Sequence, residues 1–507
     1  MDYFHADSLS SDDGIAAAWD SQIAGASAIP SLRQLIAQRG AELFPEFSKR
    51  YAEIRALPRS ARRALQRKLA ASRELANIPA EWRRKLAYSL AGAALLLALG
   101  AKAQAGTINV GSGCTLASAI TSANNGSNSG GCTGATTSPN TIVLAKSSQT
   151  LTAVDNSGTY GPSGTPVITS DITIEGHGSK IARKSKAAFR LFTITTGALT
   201  LNNSTLSGGS ADKGGAIAVY GGSLYIHDCT ITGNNATSYG GGIYIYDGVV
   251  TIDPTTISKN TAFSGGGIMN VYGSLTISNS TITGNRAQNG GGIVNQVGTL
   301  DIEDNTVISK NAAPYGGGIF NIAVAPNNST HPSTVETHSS TITGNKSVGG
   351  GSGGYGAGIW SAGGKAEVDV LDGTVISKNI SGAGGGGGIA NFSGKVHVYD
   401  STVTGNKTVA AGGGIFSFNT GGYADVNEIK VDNSTISLNI AATYGGGGIF
   451  VQDSPLTLTN STISSNKTSG KGGGVFAYSS TYNNFATDGD TFFKNVAGHG
   501  DPDFHHQ

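Results

Sequence analysis

Carboxylates recur along the strand-like runs of this chain, at Asp253, Asp301 with Glu303, Asp369 and Asp400. Two carboxylates held about 5–9.5 Å apart are the machinery of glycoside hydrolysis. On stacked coils, such a pair would come from one sheet in adjacent turns. Nothing in the local sequence sets two of these residues apart as that pair. Lyase chemistry needs basic side chains or calcium-binding acids. Beyond Arg190 the sole arginine is Arg286, and no Gly-Gly-x-Gly-x-Asp repeat is present. His499, Asp501, Asp503, His505 and His506 crowd the last nine residues. They have the donor types of a cation site, but their setting reads as a polar tail. His331 and His338 lie in an insertion and read as solvated. No catalytic, cofactor-binding or metal-ligating residue is therefore assigned.

The elements that would have to position any such group are repeats. From about residue 200 onward the phrase Ser-Thr-Ile-(Ser/Thr)-x-Asn recurs, followed by a polar spacer and Gly-Gly-Gly-Ile. Its closing asparagines are Asn234, Asn260, Asn285, Asn311, Asn345, Asn379, Asn406, Asn439, Asn466 and Asn495. Most gaps are 25 to 29 residues and three are 33 or 34. A fixed period in this range means stacked supersecondary units. One unit holds three short alternating runs, as in Ile243/Ile245, Val250/Ile252 and the run ending at Ile257. Period-2 alternation of β-branched residues is a strand signal. The two-residue turns of hairpins are missing, so each run must pair with its equivalent in the next unit.

The expected fold is all-β: a right-handed parallel β-helix over 140–497, with a helical cap at 106–139. Before it come a helical or unstructured leader, 1–81, and a signal peptide, 82–105. Residues 498–507 read as a C-terminal tail. Stacking at about 4.8 Å per coil gives about 12 to 14 coils and a rod of roughly 60 Å. Inward Ile and Val form the core, the glycines supply positive φ at a corner, and the asparagines form an amide ladder. The long gaps read as insertions, for example Ala325 to Val335 and Gly349 to Gly358. Residues that recur once per coil hold the stack together, which removes them from the functional candidates. The triplets at Asn203, Asn279, Asn433 and Asn460 match glycosylation acceptors, but their fixed place in the repeat points to a structural role.

Charge excludes one class of partner. The chain has 34 basic and 33 acidic residues. Residues 1–105 hold 15 and 10 of these, leaving the rest at net −4 with no basic stripe. Nucleic acid is therefore a poor partner. Residues 82–105 run Trp-Arg-Arg-Lys, an apolar stretch from Leu86 to Gly100, and Ala101-Lys-Ala103-Gln-Ala105. That is a basic, apolar and Ala-x-Ala series, with cleavage expected after Ala105.

The segment after it reads Gly113-Cys114-Thr-Leu116-Ala-Ser-Ala119-Ile120-Thr-Ser-Ala123-Asn124, then Gly130-Gly-Cys132, then Asn140-Thr-Ile-Val-Leu144. It resembles the CSLREA-type N-terminal segment of exported bacterial β-helix proteins, although Ala117-Ser118 replaces the Arg-Glu pair. The Gly-Gly-Gly-Ile repeats are similar to those of polymorphic outer-membrane proteins. These resemblances imply export, a pectate-lyase-like β-helix and a secreted or surface location, and no established activity. Polygalacturonase-like sites combine four motifs. Of these only Gly-His-Gly is matched, at 176–178 and 498–500.

Leu116, Ile120 and Ala123 would share one face of a short helix plugging the core. Cys114 and Cys132, close in an exported chain, are expected to form a disulfide. Cys229 remains, in the place Ser280 takes two coils on, and reads as a buried thiol. The remaining surface feature is aromatic. Tyr239, Tyr315 and Tyr444 stand immediately before glycine corners, a row that could stack on sugars or a protein partner. The reading is a noncatalytic exported protein, an adhesin or interaction scaffold, without cofactor, meeting carbohydrate or a neighbouring surface protein. The alternative is a secreted polysaccharide lyase or glycoside hydrolase.

Overall fold

The computed structural model describes residues 106–507, apart from 146–147, 325–330, 348, 350–353, 420–426 and 479–484. The expected leader and signal segment lie outside the described residues. From Gly106 onward the chain winds into a right-handed parallel β-helix. One coil shows the plan, with strands Ile268–Val271, Ser274–Ser278 and Thr281–Thr283. Each pairs in parallel with the same run of the next coil, Ile268 opposite Ile293, Leu275 opposite Leu300 and Ile282 opposite Ile308. Like residues therefore stack on like. The Ile243, Ile268, Ile293, Ile319 and Ile359 column is wholly buried, as are its neighbours in the other two runs. β-branched side chains suit this arrangement because one rotamer serves every coil.

Corners are set by backbone chemistry. Gly265 opens its triplet at φ +66°, and a Cβ on Gly266 would lie 2.4 Å from the Gly291 carbonyl oxygen. The first glycine is needed for its conformation and the second for close approach of successive coils. The glycosylation-like asparagines occupy another corner, with φ of 45–48° at Asn203, Asn279, Asn433 and Asn460. Asn and Asp tolerate that left-handed region, which accounts for their fixed position in the repeat.

Both ends are closed. Gly106–Val110 forms the first strand, in register with Asn140–Leu144. Helix α1, Leu116–Asn125, is capped by the Thr115 hydroxyl and ended by Gly126 at φ 63°. Its buried face is Leu116, Ala119, Ile120 and Ala123, joined to the main core. A Cys114–Cys132 disulfide ties the helix start to the loop beyond it. At the other end, the segment expected to be a tail continues the fold. Phe504–His506 pairs with Val475–Ala477, and Phe504 packs beside Phe485 and Phe492. Polar flanks disguise this last strand, since only Phe504 of its residues is apolar. The insertion expected across 325–335 is also shorter, because Ser333–His338 is a regular strand of the second run. A fourth two-residue strand follows the ladder asparagine in later coils, as at Lys346–Ser347 opposite Ile380–Ser381.

Candidate functional site

Before any polar residue is credited with function, the fold's own demands have to be met. The ten asparagines form a continuous amide ladder. In Asn285, Oδ1 accepts from the Asn260 backbone N–H and amide at 2.9 and 3.1 Å, while Nδ2 donates to the Ile257 carbonyl and Asn311 Oδ1, both at 3.0 Å. The ladder runs in one direction and ends where Asn495 donates to Asp503 Oδ1 at 2.9 Å. A carboxylate, which only accepts, is the correct terminator. A parallel hydroxyl ladder passes through Thr255, Ser280 and Thr306, each accepting the backbone N–H of the preceding coil. The ladder breaks at Thr306, whose N–H turns to the Glu303 carbonyl. The same contact recurs from Ser340 to Thr374 and again from Ser401 through Ser434 and Ser461, where it ends on Asp490, which accepts from Ser461 N at 2.8 Å. Cys229 belongs to this ladder. Its Sγ accepts from Ser204 N and its one S–H is directed at the His227 or Leu201 carbonyl, at 3.2 and 3.4 Å, and burial pushes its thiol pKa up to about 12. It is not a reactive thiol.

A third ladder has no counterpart among the sequence-based expectations. Asn270, Asn295 and Asn321 replace the inward aliphatic residue two places after the glycine-following Ile, with Nδ2 to Oδ1 distances of 2.8 and 3.0 Å. Asn270 Oδ1 is left buried without a donor. The residue above it in the stack is Ile245, so the first acceptor of the ladder has nothing to receive.

What the ladders leave over lies on two outer faces. The first is aromatic. In the run after the glycines, Ile243 and Ile245 point into the main core, so Tyr244 and Tyr246 lie on the other side of the strand. The Tyr244 column is largely buried there in two small apolar clusters, whereas Tyr246 is exposed. In register with these two columns are Phe320, Trp360, Phe416, Phe450 and Phe476, and Phe392 and Phe418, with Met269, Val271, Val294 and Ile322 between. Phe320 and Trp360 stack at 4.2 Å between centroids, Phe416 and Phe450 at 5.3 Å. The expected edge row is narrower than this face. Tyr239 and Tyr315 do share one column, and Tyr315 stacks on Tyr355 and lies 4.9 Å from Trp360. Tyr444 does not join them. Four glycines, not three, separate it from Ile449, so Gly445 takes the column position and Tyr444 projects outside, 72% exposed. The offset of Phe, Tyr or Trp directly after the Ile is visible in the sequence and marks the larger face.

The second face is ionisable. On the outside of the second run, Asp301, Glu336, Asp369, His397 and Lys430 stand in register on successive coils. Asp301 and Asp369 are thus brought to one face, while Asp253 and Asp400 are taken up at corners by Asn279 and Asn433. His338, expected to be solvated, is instead half-buried, with Nδ1 at 2.9 Å from Asp372 and Nε2 at 3.7 Å from Glu336. Burial, followed by the adjoining Glu303, raises the Asp301 pKa well above the ordinary carboxylate range. One coil further, His397 Nδ1 lies 2.8 Å from Asp369 and 3.7 Å from Glu367, and its Nε2 lies 3.4 Å from Glu428. Lys430 neutralises Glu428 at 2.7 Å. The histidines of the last strand are dispersed: His505 lies tilted beside Phe476, His506 edge-on to Phe485, and Asp503 is the ladder terminator.

The His397 network should leave a pH signature. The hydrogen bond to Asp369, partly opposed by burial, raises the His397 pKa above its usual 6.5. A raised histidine stabilises the fold fully below about 6.5 and loses that contribution as pH rises through the folded value. Glu367, Asp369 and Glu428 face it with negative charge, while Lys395 and Lys430 oppose. The Tm difference between the parent protein and His397→Gln is therefore expected to be largest near pH 6 and to shrink by pH 8. A difference that grows with pH would contradict the assignment.

Comparison with known families agrees with this architecture. Residues 190–375 match the right handed beta helix region. The matched stretch contains the start of the amide ladder and the Asp301 to Asp369 column. No curated protein matches the chain.

Proposed function

We propose that this chain is exported and acts, secreted or at the cell surface, as a noncatalytic interaction scaffold of adhesin type. The observation that carries this reading is the aromatic outer face of the glycine-led run. It recurs in most coils, broken at Met269/Val271 and Val294/Gln296. Its accessible members are Tyr246, Trp360, Phe392, Phe416, Phe418 and Tyr478, since Tyr244, Phe320, Phe450 and Phe476 are buried. Aromatic side chains add large contact area at small entropic cost, and they dominate binding hot spots. Export is supported by the Cys114–Cys132 disulfide, a bond type that persists in oxidising compartments. N-terminal sequencing of secreted material should begin at Gly106, and a start upstream of Arg83 would rule the signal out.

The binding test is a screen of the secreted protein against glycans and surface-protein preparations, scoring both capture and cleavage. Tyr246→Ser, Trp360→Ser and Phe418→Ser combined should weaken capture at least tenfold, whereas Tyr444→Ala should leave it unchanged. Equal capture by the triple variant would remove the aromatic face from the proposal. The acidic column supports the second reading, a polysaccharide lyase or hydrolase, since it holds carboxylates on adjacent coils. Release of reducing or unsaturated ends that disappears in Asp301→Asn/Glu303→Gln would establish that reading in place of the first.

A further inference from the structure

We propose that Asp301, Glu336 and His338 form a binding site for a divalent transition-metal cation of zinc type on the outer face of the second run. One ligand atom from each of the three lies within 4.8 Å of the others. Zinc holds nitrogen and oxygen ligands at about 2.0–2.2 Å. Ligand atoms around it stand roughly 3.3 Å apart, so the 3.7 Å between His338 Nε2 and Glu336 Oε2 needs only a small side-chain rotation.

Three observations separate this group from an ordinary acidic surface. First, the histidine is already oriented. His338 Nδ1 is held by Asp372 at 2.9 Å, which leaves Nε2 facing Glu336 and Asp301. A carboxylate behind a histidine that presents its second nitrogen is the outer-shell arrangement of metal-ligating imidazoles. Second, Oδ1 of Asp301 is shielded from solvent and has no hydrogen-bond partner. Buried acceptors are rarely left so, and an unplaced ion is one of the standard explanations. Third, the local charge is unbalanced. Asp301, Glu303, Glu336 and Asp372 surround His338, and no lysine or arginine is ion-paired to any of them among the described residues. The neighbouring group of Glu367, Asp369 and His397 has comparable spacing but is differently completed. There His397 bridges Asp369 and Glu428, and Lys430 neutralises Glu428. That network is satisfied by the protein alone, so only the first group is left open to a cation.

The donor set selects the cation. One imidazole nitrogen and two carboxylates suit zinc or a similar borderline ion. Calcium and magnesium take oxygen ligands, and calcium needs six to eight of them. Three protein ligands leave a position for water or for a donor from a bound partner. The site would therefore be an open one, at the surface, on a rigid strand pair.

The experiment is isothermal titration of the untagged full protein, stripped with chelator, using zinc chloride, with manganese, calcium and magnesium chlorides as separate arms. One equivalent of zinc is expected to bind at micromolar Kd or tighter, with calcium and magnesium at least a hundredfold weaker. Glu336→Gln, at an exposed position, and His338→Gln should each weaken zinc at least tenfold while Tm stays within a few degrees. Asp372→Asn should weaken it by a smaller factor. His397→Gln should leave zinc binding intact. Absence of binding at about 100 μM zinc would overturn the proposal. So would affinity that survives in both His338→Gln and Glu336→Gln, which would point to His499, His505 and His506 instead. Loss of binding in His397→Gln but not in His338→Gln would equally overturn it.

Discussion

Replacing Ile282 with Asp is expected to cost about 5 kcal/mol or more and to break the solenoid in its middle. Ile282 is wholly buried and stacks between Ile257 and Ile308. Its removal forfeits about 2–3 kcal/mol of apolar burial, and the carboxylate must either ionise in an apolar column or take up a proton against its preference. Neither stacked neighbour can answer it, since both are isoleucines. In a solenoid each coil touches only its neighbours, so damage is local in space but cuts the array. Thermal unfolding should then split into two transitions, and limited proteolysis should nick the coils around 282 before those at either end. Thr281→Asp, one residue away on the outer side of the same strand, should shift stability by less than about 1 kcal/mol. Equal melting of parent protein and Ile282→Asp would mean that Ile282 does not face inward.

The contrast between positions 281 and 282 explains why so much of the fold is legible in the sequence. A one-residue slip in a strand exchanges its faces, and in this chain the same exchange would have to occur in every coil at once. The isoleucine columns, the glycine corners and the terminal helix face of Leu116, Ile120 and Ala123 all follow from period and parity alone. The last strand is less legible, because Phe504–His506 has no repeat phrase around it and ends its column with an aromatic side chain where the repeat coils place Ile or Val, as Phe192 does at the other end of the same sheet. The ladder of Asn270, Asn295 and Asn321 is hidden for a different reason. An inward asparagine contradicts binary patterning unless its amide partners are known, and those partners are residues of other coils.

The candidate sites are legible in composition but not in assembly. Asp301 and Asp369 stand out in the sequence as carboxylates on strands, yet the sequence separates them by an insertion-bearing coil. Only the in-register pairing of Asp301 with Glu336, and of Glu336 with Asp369, places them on one column. His338 reads as solvated because the segment preceding it reads as an insertion, whereas Ser333–His338 is a full strand that carries the imidazole onto the same face. For the aromatic residues the difficulty is choice of offset. The tyrosines before the glycines attract attention, but counting back from the inward Ile shows that Tyr444 is one place out of line with Tyr239 and Tyr315. Parity counted from a buried anchor is more reliable than proximity to a motif.

The same counting makes each mid-ladder asparagine, Asn345 for example, a sensitive polar position. Asn345 Oδ1 accepts from the Asn311 backbone N–H and amide at 3.0 and 3.1 Å, and its Nδ2 donates to the Ile308 carbonyl and Asn379 Oδ1 at 2.9 and 3.0 Å. Asn345→Ala would strand two buried donors in one neighbouring coil and deprive two acceptors of a partner. Each stranded donor costs about 1–3 kcal/mol, so a loss of about 3–5 kcal/mol is expected. Asn345→Asp should be no better, although it is nearly isosteric. The carboxylate accepts from Asn311 as before but presents an oxygen to the Ile308 carbonyl and to Asn379 Oδ1, where a donor is required. Position 503 reverses this logic. Asp503 accepts from Asn495 at the end of the ladder, where an acceptor alone suffices, so Asp503→Asn should lower stability by less than about 1 kcal/mol. Urea unfolding of Asn345→Ala, Asn345→Asp and Asp503→Asn, followed by hydrogen exchange on the Asn311 amide, separates the cases. Tolerance of Asp at 345 equal to tolerance of Asn at 503 would show that the ladder has no direction and that its amides act only as volume in the core.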